Sequence, residues 1–174
     1  LANRFQEVSS VPLLMASDFE WGPAMRVRGA SRFPKAMVFG AGGDIADIKF
    51  QAEVTAREAR ALGIQLVLNP VLDLNNNPDN KVINTRSLGD DPERVADFGA
   101  SYIRQAQDFG VLTAAKHFPG HGATKGDSHQ TLPVLKFERE RFDQIELIPF
   151  KAAIEAGVAV IMTAHIAAPA LDGS

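Results

Sequence analysis

A unit of helix, glycine and apolar strand recurs at a fixed spacing, and it restricts the possible folds of this chain more than any other feature. Gly63, Gly110 and Gly157 lie 47 residues apart. Each glycine closes a helical pattern and is followed by a run rich in apolar and β-branched residues. Helices that alternate with buried strands predict a βα array around a parallel sheet, either an open doubly wound sheet or part of a barrel.

The periodic pattern defines the expected elements. Four strands are predicted, at residues 11–16, 64–68, 111–115 and 158–163. One helix is expected over residues 44–62, and a second begins after the cap Asp90-Asp91, with Pro92 in its first turn, and ends at Gly110. A third helix is interrupted by Pro149 and is expected to begin afresh there. Five side chains form the predicted buried face of the first helix: Ala46, Phe50, Val54, Ala59 and Leu62.

Each predicted strand ends in polar or titratable side chains. In chain order these are Asp18, Asp73, Lys116 with His117, and His165. Because the carboxyl ends of strands in a βα array lie on one rim, we expect these side chains to lie close together. The second strand is also followed by a long, asparagine-rich loop, residues 74–89, and long loops on this rim usually carry function.

The third strand leads into the most unusual stretch of the chain. Residues 116–122 read Lys-His-Phe-Pro-Gly-His-Gly, and residues 127–129 read Asp-Ser-His. Two glycines and a proline exclude a helix and require a shaped loop. Three of the four histidines fall within thirteen positions. Such a density of titratable groups on a loop indicates chemistry rather than packing.

This stretch resembles the signature of family-three glycoside hydrolases, in particular their β-N-acetylglucosaminidase branch. The resemblance selects the barrel among the two sheet arrangements and implies an α/β fold, a (β/α)₈ TIM-type barrel. A complete barrel needs about 250 residues, and this chain offers about four βα units. Residues 1–174 are therefore expected to be the central part of one barrel domain, incomplete on its own.

The resemblance also implies the catalytic groups. His129 would be the proton donor and acceptor, and Asp127 would orient its ring, since a histidine with a pKa near ~6.5 can serve in both directions. The aspartate nucleophile is expected after a later strand, outside this chain. Asp172 is the sole carboxylate after His165 and does not resemble the nucleophile segment, so the 174 residues alone are expected to hydrolyse nothing. The alternative for residues 127–129 is a polar surface turn.

The sugar-binding set implied by the resemblance comprises six residues: Asp18, Asp73, Arg86, Lys116, His117 and His165. For most of these residues a purely structural role is the alternative interpretation; Arg86, for example, could form an ion pair that tethers its loop. The sequence departs from the family pattern at Leu88, where phenylalanine is usual, and at residues 19–22, Phe-Glu-Trp-Gly in place of Gln-Glu-Gly-Gly. The resemblance further predicts a cis peptide before Pro119.

The expected function is a retaining exo-β-glycosidase that removes N-acetylglucosamine from glycans such as peptidoglycan fragments. Three alternatives stay open: a β-glucosidase, a β-N-acetylglucosaminide phosphorylase, and a sugar-binding fragment without activity. A metal-dependent hydrolase using His117, His121 and His129 is disfavoured, because the first two lie in a Pro/Gly loop and not on a helix.

Composition narrows the possible partners. The net charge is −3 and no basic block occurs, so neither nucleic acid nor an anionic membrane is an expected partner. No apolar run reaches membrane-spanning length. The absence of cysteine excludes disulfides and thiolate metal sites. The family resemblance implies a carbohydrate substrate, the remainder of the barrel as the structural partner, and no cofactor or metal. The sequence is compatible with a location in the bacterial cytoplasm and with one in the periplasm or cell envelope.

Overall fold

A parallel sheet forms the centre of the computed structural model, which describes residues 1–125 and 132–173. Four strands stand in chain order across this part of the structure: β1 (Ala16–Ser17), β2 (Leu66–Val67), β3 (Leu112–Phe118) and β4 (Val160–Thr163). The register pairs Ala16 with Leu66, Leu66 with Leu112, and Ala114 with Val160. In a (β/α)₈ barrel the spatial order of the strands follows their order in the chain, as it does here. In a doubly wound sheet the strand order reverses at a switch point.

Helices connect the strands and cover the sheet. They are α1 (Ala2–Val8), α2 (Ala36–Gly42), α3 (Ile45–Ala61), α4 (Pro92–Asp108), α5 (Arg139–Arg141) and α6 (Ile148–Glu155). A π-helical turn, Phe142–Glu146, lies between α5 and α6. Short 3₁₀ turns occupy Pro23–Met25 and Asn84–Arg86. Within the described ranges, every helix is too short or too polar to cross a membrane.

Local capping signals explain where the long helices begin. Asp44 accepts hydrogen bonds from the backbone N–H groups of residues 46 and 47, and Asp47 accepts one from the Asp44 N–H, which completes a capping box. Asp91 caps α4 by accepting hydrogen bonds from the backbone N–H groups of residues 93 and 94, with Pro92 in the first turn. The three repeated glycines have φ of 76°, 83° and 79°, as helix-terminating glycines require: Gly63, Gly110 and Gly157.

The predicted buried face of the first long helix is confirmed at Ala59 and half-buried at Val54, and it is wrong at the three exposed residues Ala46, Phe50 and Leu62. Phe50 is 63% exposed and packs its ring edge to face with Phe33, whereas Ala52 and Ala56 are fully buried. Ile48, Gln51 and Thr55 lie on the same inner face. Small side chains allow α3 to pack closely on its neighbours, so the tightly packed face is not the one with the largest apolar residues.

The strand limits also differ from the prediction. Residues 11–14 are exposed and form no strand, because β1 lies at one edge of the described sheet and has only β2 to pair with. In contrast, β3 continues past residue 115, where Lys116 forms a bridge with Val71. Lys116 and His117 therefore lie within the strand, just before its last residue, Phe118, and are not the first residues of a loop.

The main hydrophobic core lies between the sheet and the long helices. Its members come from strands, from α3, α4 and α6, and from the loops after β1 and β2; among them are Phe19, Val67, Leu72, Val95, Ile103, Val111 and Phe150. A smaller cluster contains Leu135, Phe142 and Leu147. The core holds the strands in register and thereby fixes the rim at their carboxyl ends.

Candidate active site

An open cavity of about 610 Å³ lies at the carboxyl ends of the strands. Five of the six residues predicted to bind sugar line it, namely Asp18, Arg86, Lys116, His117 and His165. The sixth, Asp73, is fully buried and contacts His117 from below. The cavity is also lined by Glu20, Arg26 and His121, which were not predicted as sugar-binding residues.

Lys116 joins the ends of β1 and β3. Its Nζ lies 2.9 Å from Asp18 Oδ1 and 2.9 Å from Glu20 Oε1, and the side chain is only 2% exposed. A buried ammonium group needs such carboxylate partners to offset its lost hydration. Burial acts to raise the pKa of Asp18, but the contacts from Lys116 and Arg26 hold that pKa below its usual range. Lys116 is thus a fixed cation within the site.

Glu20 holds the guanidinium of Arg86 in a two-pronged contact. Arg86 donates from Nε to Oε2 at 2.9 Å and from Nη2 to Oε1 at 2.8 Å, and its Nη1 donates to the Val82 carbonyl at 3.1 Å. Burial acts to raise the pKa of Glu20, but Arg86 and Lys116 lower it overall. Arg86 therefore both tethers its loop and faces the cavity. The sequence signal for Glu20 is a second carboxylate two residues beyond Asp18.

Asp73 orients His117 from beneath the cavity. Its Oδ2 lies 2.6 Å from His117 Nδ1, and the carboxylate also accepts from the backbone N–H groups of His117 and His121, the latter at 2.6 Å. Burial alone would raise the pKa of Asp73, but the hydrogen bonds from His117 and His121 lower it overall. An ionised carboxylate only accepts, so Nδ1 carries a proton and Nε2 faces Arg86 Nη2 at 3.5 Å.

His121 is buried beside this pair. Its Nδ1 lies 2.8 Å from Thr124 Oγ1, and its ring stands edge to face with the His117 ring at 6.2 Å between centroids. Within residues 1–125 and 132–173, its Nε2 is buried without a hydrogen-bond partner. Burial lowers the pKa of His121 below its ordinary value. The ring is therefore neutral near pH 7.

The remaining predictions concern the edges of the site. His165 is exposed at the end of β4. Asp127 and His129 lie outside the described residues. Asp172 is exposed and lines a separate groove of about 470 Å³ beside Phe118 and Pro119. The Phe118–Pro119 peptide is cis, as predicted. In the described part of the chain, no group of three or more potential metal-binding side chains is placed to hold a metal ion.

Consecutive parallel strands with a polar cavity at their carboxyl ends define part of a (β/α)₈ barrel enzyme domain. The sequence profile described as "Glycosyl hydrolase family 3 N terminal domain" matches residues 2–174. The chain belongs to glycoside hydrolase family 3. The resemblance read from residues 116–129 is thereby confirmed, as is the barrel-type fold.

Individual relatives cover almost all of this chain. Beta-hexosaminidase A of Pseudoalteromonas piscicida is 41% identical over 97% of it. The solved structure of a family 3 β-N-acetylglucosaminidase from Paenibacillus sp. str. FPU-7 is 43% identical, with a TM-score of 0.95 over 100% of the chain. A β-glucoside phosphorylase, BglX bound to 2FGlc, is 31% identical with a TM-score of 0.92 over 97%. The chain spans 29%, 34% and 31% of these proteins.

Proposed function

We propose that the protein containing this chain is a retaining exo-β-N-acetylglucosaminidase, acting on β-linked glycans such as peptidoglycan fragments. The observation that carries the proposal is the arrangement of paired charges in the cavity: Arg26, Arg86 and Lys116 each contact Asp18 or Glu20. Paired carboxylates and cations offer both acceptors and donors to hydroxyl groups with little net charge. This chemistry suits a neutral, polyhydroxylated ligand, and relatives named for amino-sugar hydrolysis support it.

Some of the described residues would contact the sugar, and Asp73 would position one of those residues. Asp18, Arg86, Lys116 and His117 would contact sugar hydroxyls, since their polar atoms line the cavity. Asp73 would act through His117, because it is fully buried and holds the imidazole Nδ1. His165 would contact the substrate at the exposed rim. Rigidly held donors and acceptors reduce the entropy lost when the sugar binds.

Catalysis would use two further groups. His129, oriented by Asp127, would donate a proton to the departing oxygen while an aspartate outside this chain attacks the anomeric carbon. Water would then cleave the glycosyl–enzyme bond and return its proton to His129. The support for His129 is its sequence position, eight residues after His121 in the stretch that resembles the family signature. That the 174 residues are the central part of a barrel domain stays a prediction.

Substrate preference tests the proposal in the full-length protein. The 4-nitrophenyl β-glycosides of N-acetylglucosamine and glucose would be compared in phosphate-free buffer. We expect a higher kcat/KM for the N-acetylglucosaminide. A clear preference for the glucoside would favour the β-glucosidase alternative, and binding of both sugars without cleavage would favour a sugar-binding protein.

Proton transfer by His129 is tested with leaving groups of different quality. His129→Ala should slow cleavage of a natural disaccharide by about 10²-fold or more, because an alkoxide leaving group needs a proton. The first chemical step with a 4-nitrophenyl glycoside should suffer less. Gln130→Ala serves as the neighbouring control. Equal, small losses on both substrates would remove His129 from this role.

A phosphorylase is the second candidate, favoured by the likeness to BglX. A histidine donor leaves less negative charge near the glycosyl–enzyme than a carboxylate donor, so phosphate can approach in place of water. Adding phosphate would then increase the rate and yield N-acetylglucosamine 1-phosphate. Free N-acetylglucosamine as the product at all phosphate concentrations would identify a hydrolase.

A further inference from the structure

The asparagine-rich loop after β2 reaches across to the turn that follows β3. Asn80 donates from Nδ2 to the carbonyl oxygens of His121 and Gly122, at 2.8 and 2.9 Å. Asn77 donates from Nδ2 to the carbonyl oxygens of Ala123 and Thr124, at 3.3 and 2.9 Å. Two amide side chains thus satisfy four successive carbonyl groups, and neither side chain lines the catalytic cavity.

The same two side chains also shape their own loop. The Oδ1 atom of Asn77 accepts from the N–H of Asp79 at 3.0 Å. The Oδ1 atom of Asn80 accepts from the N–H groups of Val82 and Ile83, both at 2.9 Å. Only a primary amide combines an acceptor and two donors in this geometry. The oxygen ends therefore order residues 77–83, and the nitrogen ends bind the neighbouring turn.

Two further contacts hold the turn in place. Asp73 accepts a hydrogen bond from the His121 N–H at 2.6 Å, so the turn is held on its amide side as well as its carbonyl side. A Cβ atom at Gly122 would overlap the carbonyl oxygen of Leu74, which shows that the two loops touch backbone to backbone. The turn is therefore held between the loop that follows β2 and the buried carboxylate of Asp73.

We propose that Asn77 and Asn80 are positioning residues for catalysis, because they set the place and direction in which the chain leaves residue 124. The segment that carries Asp127 and His129 begins there, three residues before Asp127. The inference rests on the proposed role of His129. A proton donor displaced by about 1 Å can lose on the order of 10²-fold in rate, so a shifted turn would impair proton transfer without removing any group that contacts the sugar.

Replacement by aspartate separates the two functions of each amide. Asn77→Asp and Asn80→Asp keep the Oδ1 acceptor that orders residues 77–83, and they turn the cross-loop donor into an oxygen that repels the facing carbonyls. Asn75→Asp is the matched control. It lies in the same loop and introduces the same charge, and its side chain donates no hydrogen bond to the turn among the described residues. All variants are made in the full-length protein.

The measurement compares a β-glycoside that has an alcohol leaving group with one that has a 4-nitrophenolate leaving group. We expect Asn80→Asp to lower kcat on the alkyl glycoside by about 10- to 100-fold relative to Asn75→Asp. Cleavage of the nitrophenyl glycoside and KM for both should change by less than about 3-fold. Asn77→Asp, which is more exposed, should show the same pattern more weakly, and it keeps the test valid if Asn80→Asp does not fold.

Four outcomes overturn the inference. Equal losses on both substrates would mean that the amides only stabilise the fold. Losses no larger than those of Asn75→Asp would mean that the turn needs no such anchoring. If His129→Ala loses more activity on the alkyl glycoside than on the nitrophenyl glycoside and the asparagine variants do not, the role of the two asparagines is excluded and the proposed role of His129 stands. If His129→Ala lacks that difference between the two substrates, His129 is not the proton donor, and the inference that rests on it is excluded as well.

Discussion

Glu20 is the residue whose removal tests the charge network most directly. It is 6% exposed, it binds Arg86 through both carboxylate oxygens, and it contacts Lys116 at 2.9 Å. Glu20→Gln preserves the size of the side chain but removes the charge. One of its two oxygens becomes an NH₂ group, which would point a donor at a cation.

The size of the effect follows from these contacts. A hydrogen bond to a charged group contributes about 1.5–3 kcal/mol net, and breaking a buried ion pair by removing one partner costs about 3–5 kcal/mol. Glutamine retains one acceptor, so we expect Lys116 and Arg86 to lose about 1.5–3 kcal/mol of positioning. Since about 1.4 kcal/mol corresponds to tenfold, kcat/KM should fall by about 10- to 100-fold. Most of the change should appear in KM, because both cations face the sugar site.

The assay is steady-state hydrolysis of a 4-nitrophenyl N-acetylglucosaminide by the full-length protein, together with the unfolding temperature. Glu53→Gln is the control, because Glu53 forms an exposed helical pair with Arg57 at the same 2.9 Å distance. Such surface pairs contribute only about 0.3–0.5 kcal/mol, so the control should match the wild type. A Glu20→Gln protein with the kcat/KM and unfolding temperature of the control would refute the reasoning.

Two further predictions concern the histidines. Asp73→Asn should lower kcat/KM by about 10²-fold, because an amide cannot accept from His117 Nδ1 and both backbone N–H groups as the carboxylate does; kinetics near the wild-type values would contradict this role. His121 has a pKa lowered by burial from 6.5, so the unfolded chain binds more protons below that pH. Its stabilising contribution is present above pH 6.5 and is lost as the pH falls through the folded pKa. Unfolding temperatures measured between pH 7 and 5 should decline more steeply for the wild type than for His121→Asn, and parallel curves would exclude the effect.

Local chemistry in the sequence was sufficient for much of the fold. The starts of α3 and α4 follow from Asp44 and Asp91, whose side chains satisfy free N–H groups at the helix ends. The positive φ of the repeated glycines marks the helix ends for an equally local reason. The common rim of the strand ends was also predictable, because parallel βα units place all carboxyl ends on one side. The motif at residues 116–122 identified the family from sequence because it is one continuous stretch, which needs no tertiary contact to be recognised.

Only the tertiary structure decided how the site is held together. Lys116 meets Asp18 across 98 positions and Arg86 meets Glu20 across 66, so no local pattern marks these partners. The inner face of α3 was mispredicted because burial depends on how closely α4 and the sheet approach, and Ala52 and Ala56 allow that approach where Phe50 does not. The contacts that Asn77 and Asn80 make with residues 121–124 could not be predicted for a related reason. An asparagine whose amide binds two carbonyl groups of a distant turn looks, in sequence, like any polar residue of a surface loop.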